Sequence, residues 1–197
     1  MRRLLLLLLL SAAALVATPA RLHAQAPTWK IDPVHSELTF RIRHYVTRVR
    51  GTFAKWDGSI TADPASLAKG SVLVSIDSKS IDTNNEMRDN HLKSNDFFAT
   101  DSFPALTFKS SRVELKGESL KVFGDLTIRG ITKPVVLEGT YNGVTKDMQG
   151  KERMGFDAST KINRLDYKVA WNRAIEGGGV MLGDEVEINI TVEAVKQ

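Results

Sequence analysis

The 197-residue chain contains no cysteine. That excludes disulfides, a thiol nucleophile and lipid attachment through a cysteine at a cleavage site. No Gly-x-Ser-x-Gly elbow is present for serine catalysis. The histidines show neither His-x-His nor His-Glu-x-x-His spacing, so no local zinc motif exists. The run Gly177-Gly178-Gly179 lacks the Lys-Ser/Thr ending and the strand-to-helix setting of a phosphate loop. Internal repeats and low-complexity tracts are also missing. The first 24 residues hold no acidic residue at all.

What those 24 residues do hold is a targeting pattern. Arg2-Arg3 is a positive start, Leu4 to Val16 is an apolar run of 13 residues, and Leu22-His23-Ala24 suits a small-residue cleavage site. The run is too short to span a bilayer comfortably, and Pro19 and Arg21 follow it closely. The expectation is a cleaved signal peptide over 1–24 on the general secretory route. One domain over 25–197 would then be periplasmic or secreted. Removing three arginines from 27 basic residues leaves 24 against 23 acidic ones, a net charge near +1. The basic pI therefore owes much to the leader, and no nucleic-acid partner is expected.

The remaining chain alternates. Leu38, Phe40, Ile42 and His44 share one face of Glu37–His44, and Glu37, Thr39, Arg41 and Arg43 share the other. Val186, Ile188, Ile190, Val192 and Ala194 alternate likewise against polar neighbours. Further period-two segments are Thr52–Thr61, Ser71–Ile76, Leu106–Glu114, Leu120–Ile128, Val135–Val144 and Glu152–Ile162. Turn signals separate them at Asp63-Pro64, Lys116-Gly117-Glu118, Arg129-Gly130 and Asn142-Gly143. Asn142-Gly143 reads either as a tight hairpin turn or as a twisted strand end. Pro134, which has no N–H, belongs at a strand start or bulge.

Asn85 to Ser94 departs from this pattern, with no alternation and no β-branched residue. The segment predicts a short helix capped by Asp82 or Thr83, with Glu86 in capping-box spacing to Thr83. Met87, His91 and Ser94 would form one stripe, with Arg88 and Leu92 beside it. Eight antiparallel strands leave an up-and-down barrel or a two-sheet sandwich open, and a helix able to close one end favours the barrel. The fold class expected is all-β: a lipocalin-like eight-stranded antiparallel barrel with a short helical lid insert. Phe40, Ile42, Phe53, Val74, Phe108, Leu126, Phe156 and Ile188 are its inward-facing candidates. They either line a ligand cavity or fill a dry core.

Several blocks in order carry a family resemblance. These are Asp32-Pro33-Val34-His35-Ser36, Val49-Arg50-Gly51-Thr52-Phe53, Ser80-Ile81-Asp82-Thr83 with Arg88-Asp89-Asn90-His91-Leu92, Phe103 to Ser110, and Gly124 to Val135. Gly183-Asp184-Glu185-Val186 leads into the last strand. Nearly end to end, the mature chain resembles the YceI-like family of exported isoprenoid-binding proteins. The resemblance implies a lipocalin-like barrel whose hydrophobic cavity takes a long isoprenoid or similar amphiphile. One departure is Lys168 after Arg164-Leu165-Asp166-Tyr167, where the family often has glycine.

On this reading the protein is a carrier, not an enzyme. It needs no cofactor or metal, and a polyprenyl phosphate or isoprenoid quinone is its bound ligand. His44, Arg88, His91 and Trp171 are candidates for holding the head group at the mouth. Arg88, Asp89 and His91 could instead simply fasten the lid, Asp89 being the most clearly structural. Trp29, Trp56 and Trp171 are either rim aromatics or core. Transient membrane-surface contact and a homodimer sheltering a long tail stay open. Two rivals remain: an enzyme on a lipid or small apolar substrate using His44 and His91 as acid–base groups, and a ligand-free stress-response interaction protein. A zinc site would need His35, His44 and His91 to converge.

Overall fold

The computed structural model describes residues 25–176 and 178–197. The expected signal peptide and Gly177 lie outside the described residues. Eleven β-segments follow one another: β1 (Thr28–Ile31), β2 (Glu37–His44), β3 (Thr47–Phe53), β4 (Trp56–Thr61), β5 (Ser71–Asp77), β6 (Ile81–Asp82), β7 (Ala105–Lys116), β8 (Ser119–Ile128), β9 (Ile131–Lys146), β10 (Glu152–Asn163) and β11 (Leu182–Lys196). They form one antiparallel sheet in the order β1-β4-β5-β7-β8-β9-β10-β11-β2-β3-β6. The additional β1–β11 pairing closes it into a barrel.

Eleven segments make eight staves, because three staves are broken. β11 pairs with β2 through Leu182–Thr191 and with β1 through Ala194–Lys196, so β1 and β2 are two pieces of one stave. In the same way β3 and β4 are interrupted at Ala54–Lys55, and β5 and β6 at Ser78–Ser80. The eight expected strands match these staves one for one. The larger differences are in length: the first stave begins at Thr28, the second at Thr47, the third runs on to Asp82, β9 begins at Ile131 rather than Val135, and β11 begins at Leu182.

Alternation explains the wall. In β8, Leu120, Val122, Gly124, Leu126 and Ile128 are buried, while Ser119, Lys121 and Asp125 face water. β8 and β9 join through Arg129-Gly130, with φ of +51° and +71°, the two left-handed residues a two-residue primed turn requires. Asn142-Gly143 is no hairpin. It lies inside β9, where Gly143 adopts φ +93° and the register to β10 shifts at Gly155/Phe156. Pro134 sits in the first turn-proximal stretch of β9, opposite Asp125.

One end is plugged. Trp29, Met154 and Ala194 are completely buried there, and the Trp29 indole N–H donates to Ala62 O at 2.9 Å. The 3-10 turns Pro64–Lys69 bury Leu67 beneath them, with Asp63 capping the Ala65 N–H. Trp29 is thus part of the plug and not of a rim. Burying one large aromatic of this kind contributes roughly 3 kcal/mol.

At the other end β6 pairs only with β3, and β7 pairs only with β5 and β8. The helix α1 (Glu86–Lys93) and the segment leading to Pro104 occupy the intervening stretch of wall. Ser78 ties the segment down, its N–H donating to Pro104 O at 2.9 Å and its hydroxyl to Phe103 O at 2.8 Å. The lid insert therefore serves as wall as well as cover.

Candidate functional site

Between plug and lid the barrel encloses a cavity of about 670 Å³, within the range of about 300–1,000 Å³ common for ligand pockets. The barrel is not filled, so the dry-core alternative fails. Phe40, Ile42, Phe53, Val74, Phe108, Leu126, Phe156 and Ile188 all line this space. Two of these rings lie flat against the wall for a local reason. A side chain on Gly51 would overlap the Phe40 ring, and one on Gly124 would overlap the Phe108 ring. Glycine on the neighbouring stave leaves room for each ring to lean away from the lumen.

His44, Arg88, His91 and Trp171 also border the cavity. His91, Phe97 and Trp171 form a mutual cluster, with ring centroids 5.0 Å (His91–Phe97), 4.9 Å (His91–Trp171) and 5.3 Å (Phe97–Trp171) apart. His91 Nε2 also lies 2.8 Å from Asp96 Oδ2. Helix and β10–β11 connection are thereby clasped together over the opening. Trp171 is a clasp residue, half-buried, and Trp56 lines the cavity wall.

Arg88 is turned inward on its own segment. Its Nε donates to Thr83 Oγ1 and one terminal nitrogen to Thr83 O, both at 2.7 Å. Asp89, buried, accepts from the Thr83 N–H at 2.9 Å and from its hydroxyl. Thr83 is thus the anchor of the lid. The N-cap is Asn85, whose side chain accepts from the Arg88 N–H at 2.9 Å, and Ser94 is the C-cap rather than part of the stripe. Asp82 instead closes a local turn onto the Asn84 N–H.

Two cavity residues escaped the sequence reading. Arg164, buried, donates to Gly183 O, Val169 O and Trp171 O and pairs with Asp184 at 3.2 Å. It holds the whole connection in place, and burial pulls its pKa down. Tyr167 is 2% exposed, and its hydroxyl is buried without any hydrogen-bond partner. Burial, with Asp166 nearby, pushes the phenol up to about 12. It is therefore a protonated donor with nothing to donate to, on a residue that lines the cavity. Lys168 next to it adopts φ +56°, a left-handed conformation that glycine takes without strain.

The three histidines do not converge. His35 stands on the outer wall at the break between β1 and β2, its Nδ1 2.9 Å from Asp32 Oδ2, while His44 and His91 border the cavity. Asp32, His35 and Glu193 do cluster, but the Arg153 guanidinium occupies their midst. It donates to Asp32 at 3.0 Å, to Asp147 at 2.8 Å and to Glu193.

The family profile described as YceI-like domain matches residues 29–194. A UPF0312 protein of Staphylococcus aureus (strain N315) is 41% identical over 164 residues, covering 82% of this chain and 94% of that protein. The crystal structure of a Campylobacter jejuni YCEI protein is similar, with TM-score 0.69 and 36% identity over 77% of this chain and 87% of that one. Burkholderia cenocepacia BcnA superimposes with TM-score 0.71 at 25% identity, over 83% of this chain and 98% of that one. A polyisoprenoid binding domain from Saccharophagus degradans, implicated in plant cell wall breakdown, shares the fold at 14% identity, with TM-score 0.65.

Proposed function

The chain belongs to the YceI-like domain family, and on that premise we propose that it is an exported carrier holding a long isoprenoid amphiphile inside its barrel. The observation that carries this reading is the cavity itself: about 670 Å³, walled almost wholly by aliphatic and aromatic side chains and plugged at one end. A lumen of that kind has little with which to hold a polar substrate. It suits a tail, because each CH₂ taken out of water contributes about 0.8 kcal/mol. The solved fold relative that is named as a polyisoprenoid binding domain supports the same ligand class.

The polar groups refine the choice of head. Arg164 spends its donors on carbonyls and Asp184, and Arg88 directs two of its donors to Thr83. The buried donor left without a partner among the described residues is the neutral Tyr167 phenol. A carbonyl or hydroxyl oxygen, as in an isoprenoid quinone or alcohol, fits this neutral donor deep in the lumen, whereas a phosphate would have to be met at the mouth by the remaining N–H groups of Arg88.

The test is native mass spectrometry with lipid extraction on protein purified without detergent from an exporting host. A stoichiometric isoprenoid is expected. A ligand-free protein that also refuses added long-chain isoprenoids would overturn the reading.

A further inference from the structure

The open end of the barrel displays apolar side chains to water, one on the β2–β3 turn and one at the cavity mouth. Val46 is 98% exposed and Met87 84% exposed. Tyr45 and Val46 make the two-residue turn between β2 and β3, where His44 faces Thr47. Met87 lies in the first turn of α1, beside the same opening. Tyr45 holds a left-handed backbone, φ +49°, which is costly for a bulky residue. Its N–H is fixed to Met181 O at 2.8 Å, and Arg43 donates to its carbonyl at 3.2 Å. The turn is thus rigidly held with its apolar tip in water.

The hairpin behind that tip carries charge of one sign, although Glu187 of β11 lies opposite Arg41. Residues 41–50 contain four arginines and no acidic residue. The β2–β3 register sets Arg41 opposite Arg50 and Arg43 opposite Arg48, although like charges directly across a ladder destabilise it. Arg48 reaches Glu187 at 3.4 Å, and Arg50 reaches Glu37. Among the described residues Arg41 and Arg43 form no ion pair. On a domain with a net charge near +1, this hairpin is a concentrated cationic patch next to a protruding apolar tip.

We propose that the open end docks on an anionic phospholipid bilayer. The Tyr45-Val46 turn and Met87 enter the headgroup layer, and Arg41 and Arg43 meet lipid phosphates. A bilayer fits better than an acidic protein partner because the exposed apolar groups stand up singly from two separate elements and form no continuous apolar patch of their own. Such points need a partner that deforms around them. Tyrosine suits the headgroup level, and arginine forks suit phosphate oxygens. In this pose the cavity opens onto the membrane, so a lipid passes between bilayer and barrel without crossing bulk water. That purpose rests on the carrier reading; the docking itself does not.

The test uses residues 25–197, the span that forms the whole barrel, and vesicles containing no isoprenoid. Co-sedimentation is expected with vesicles rich in phosphatidylglycerol and much less with phosphatidylcholine alone, falling as salt screens the arginines. Val46→Asp is expected to lower the bound fraction several-fold. Arg41→Gln with Arg43→Gln should lower it about fivefold per arginine, the effect of one basic residue near an anionic surface. All three positions are solvent-facing, so the barrel stays intact. No sedimentation with either vesicle, or equal binding by parent and variants, overturns the proposal. Polyprenol uptake is measured separately: a protein that binds vesicles but no polyprenol would sink the carrier reading and leave docking standing.

Discussion

The Phe40 ring lies over Gly51, its direct cross-strand partner between β2 and β3. On the β7–β8 side Phe108 lies over Gly124, its diagonal neighbour, its direct partner in register being Leu126. Each ring is allowed to lean on the wall because the residue beneath it on the neighbouring stave has no side chain. The lumen owes part of its width to two glycines.

Gly51→Ala is therefore expected to push the Phe40 ring toward the lumen. The overpacking should cost about 1–3 kcal/mol in urea unfolding, and isoprenoid uptake should fall with it. Adding Phe40→Leu should restore both in part, since the smaller side chain removes the overlap with the ring but not that with the Thr83 methyl group. Failure of the second change to rescue uptake would separate the pair.

Tyr167→Phe distinguishes a ligand-facing phenol from an incidental one. The free protein should be as stable as the parent, or more stable by about 1 kcal/mol, because a buried unpaired hydroxyl is removed. Affinity for an isoprenoid quinone should drop about fivefold, while a tail lacking oxygen binds unchanged. Calorimetric titration of the two ligands reads the difference. Equal losses for both would place the hydroxyl outside the ligand site.

Ala158 lines the lumen on β10, opposite Gly139 of β9 and Ile190 of β11. Ala158→Trp is expected to abolish uptake of long isoprenoids while the barrel still folds, because the side chain enters an existing void. Thermal unfolding and lipid uptake, measured together, check both halves.

Acid should loosen the seam where β1 meets β2. The His35 imidazole bonded to Asp32, aided by the Val34 N–H and the Arg153 guanidinium, holds the Asp32 carboxyl down to about 2. A carboxyl depressed from its ordinary value near 3.8 stabilises the fold above that value. The contribution fades as pH falls through about 4 toward 2, and is of the order of 1–2 kcal/mol. Asp32→Asn should flatten this part of the stability profile. Arg153→Met, which leaves three acidic groups facing one another, should cost about 1–3 kcal/mol at neutral pH. Urea midpoints taken from pH 6 to pH 2 test both.

Period-two alternation was enough to read the wall, because a stave with one face in water and one in the lumen writes its pattern into consecutive residues. Where a stave breaks, the pattern breaks too. Thr28–Ile31 is only four residues long, and Gly51 interrupts the apolar face of β3, so both ends of those staves were invisible. The lid's existence was legible from missing β-branched residues. Its cap was not, because Asp82, Thr83 and Asn85 are all good cap types and only the backbone decides among them. His91 and Trp171 are 80 residues apart, and nothing local brings them together. Tyr167 was missed for a similar reason: a phenol becomes an orphan only when distant chain removes water from around it. The position where the family resemblance implies glycine is a left-handed corner, which this chain accepts with Lys168 at φ +56°.

Three adjacent staves break at the same height, at Asp32–Ser36, Ala54–Lys55 and Ser78–Ser80. Below that line the hoop of ladder bonds is continuous, and above it β2, β3 and β6 form a panel hinged on β11 with its far edge unpaired. Ladder bonds consequently girdle the barrel fully at the bottom and incompletely at the top. For a carrier of the kind proposed, that panel is the stretch of wall where a thicker or more branched cargo would meet fewest ladder bonds, and the hoop around Trp29 is where it would meet most.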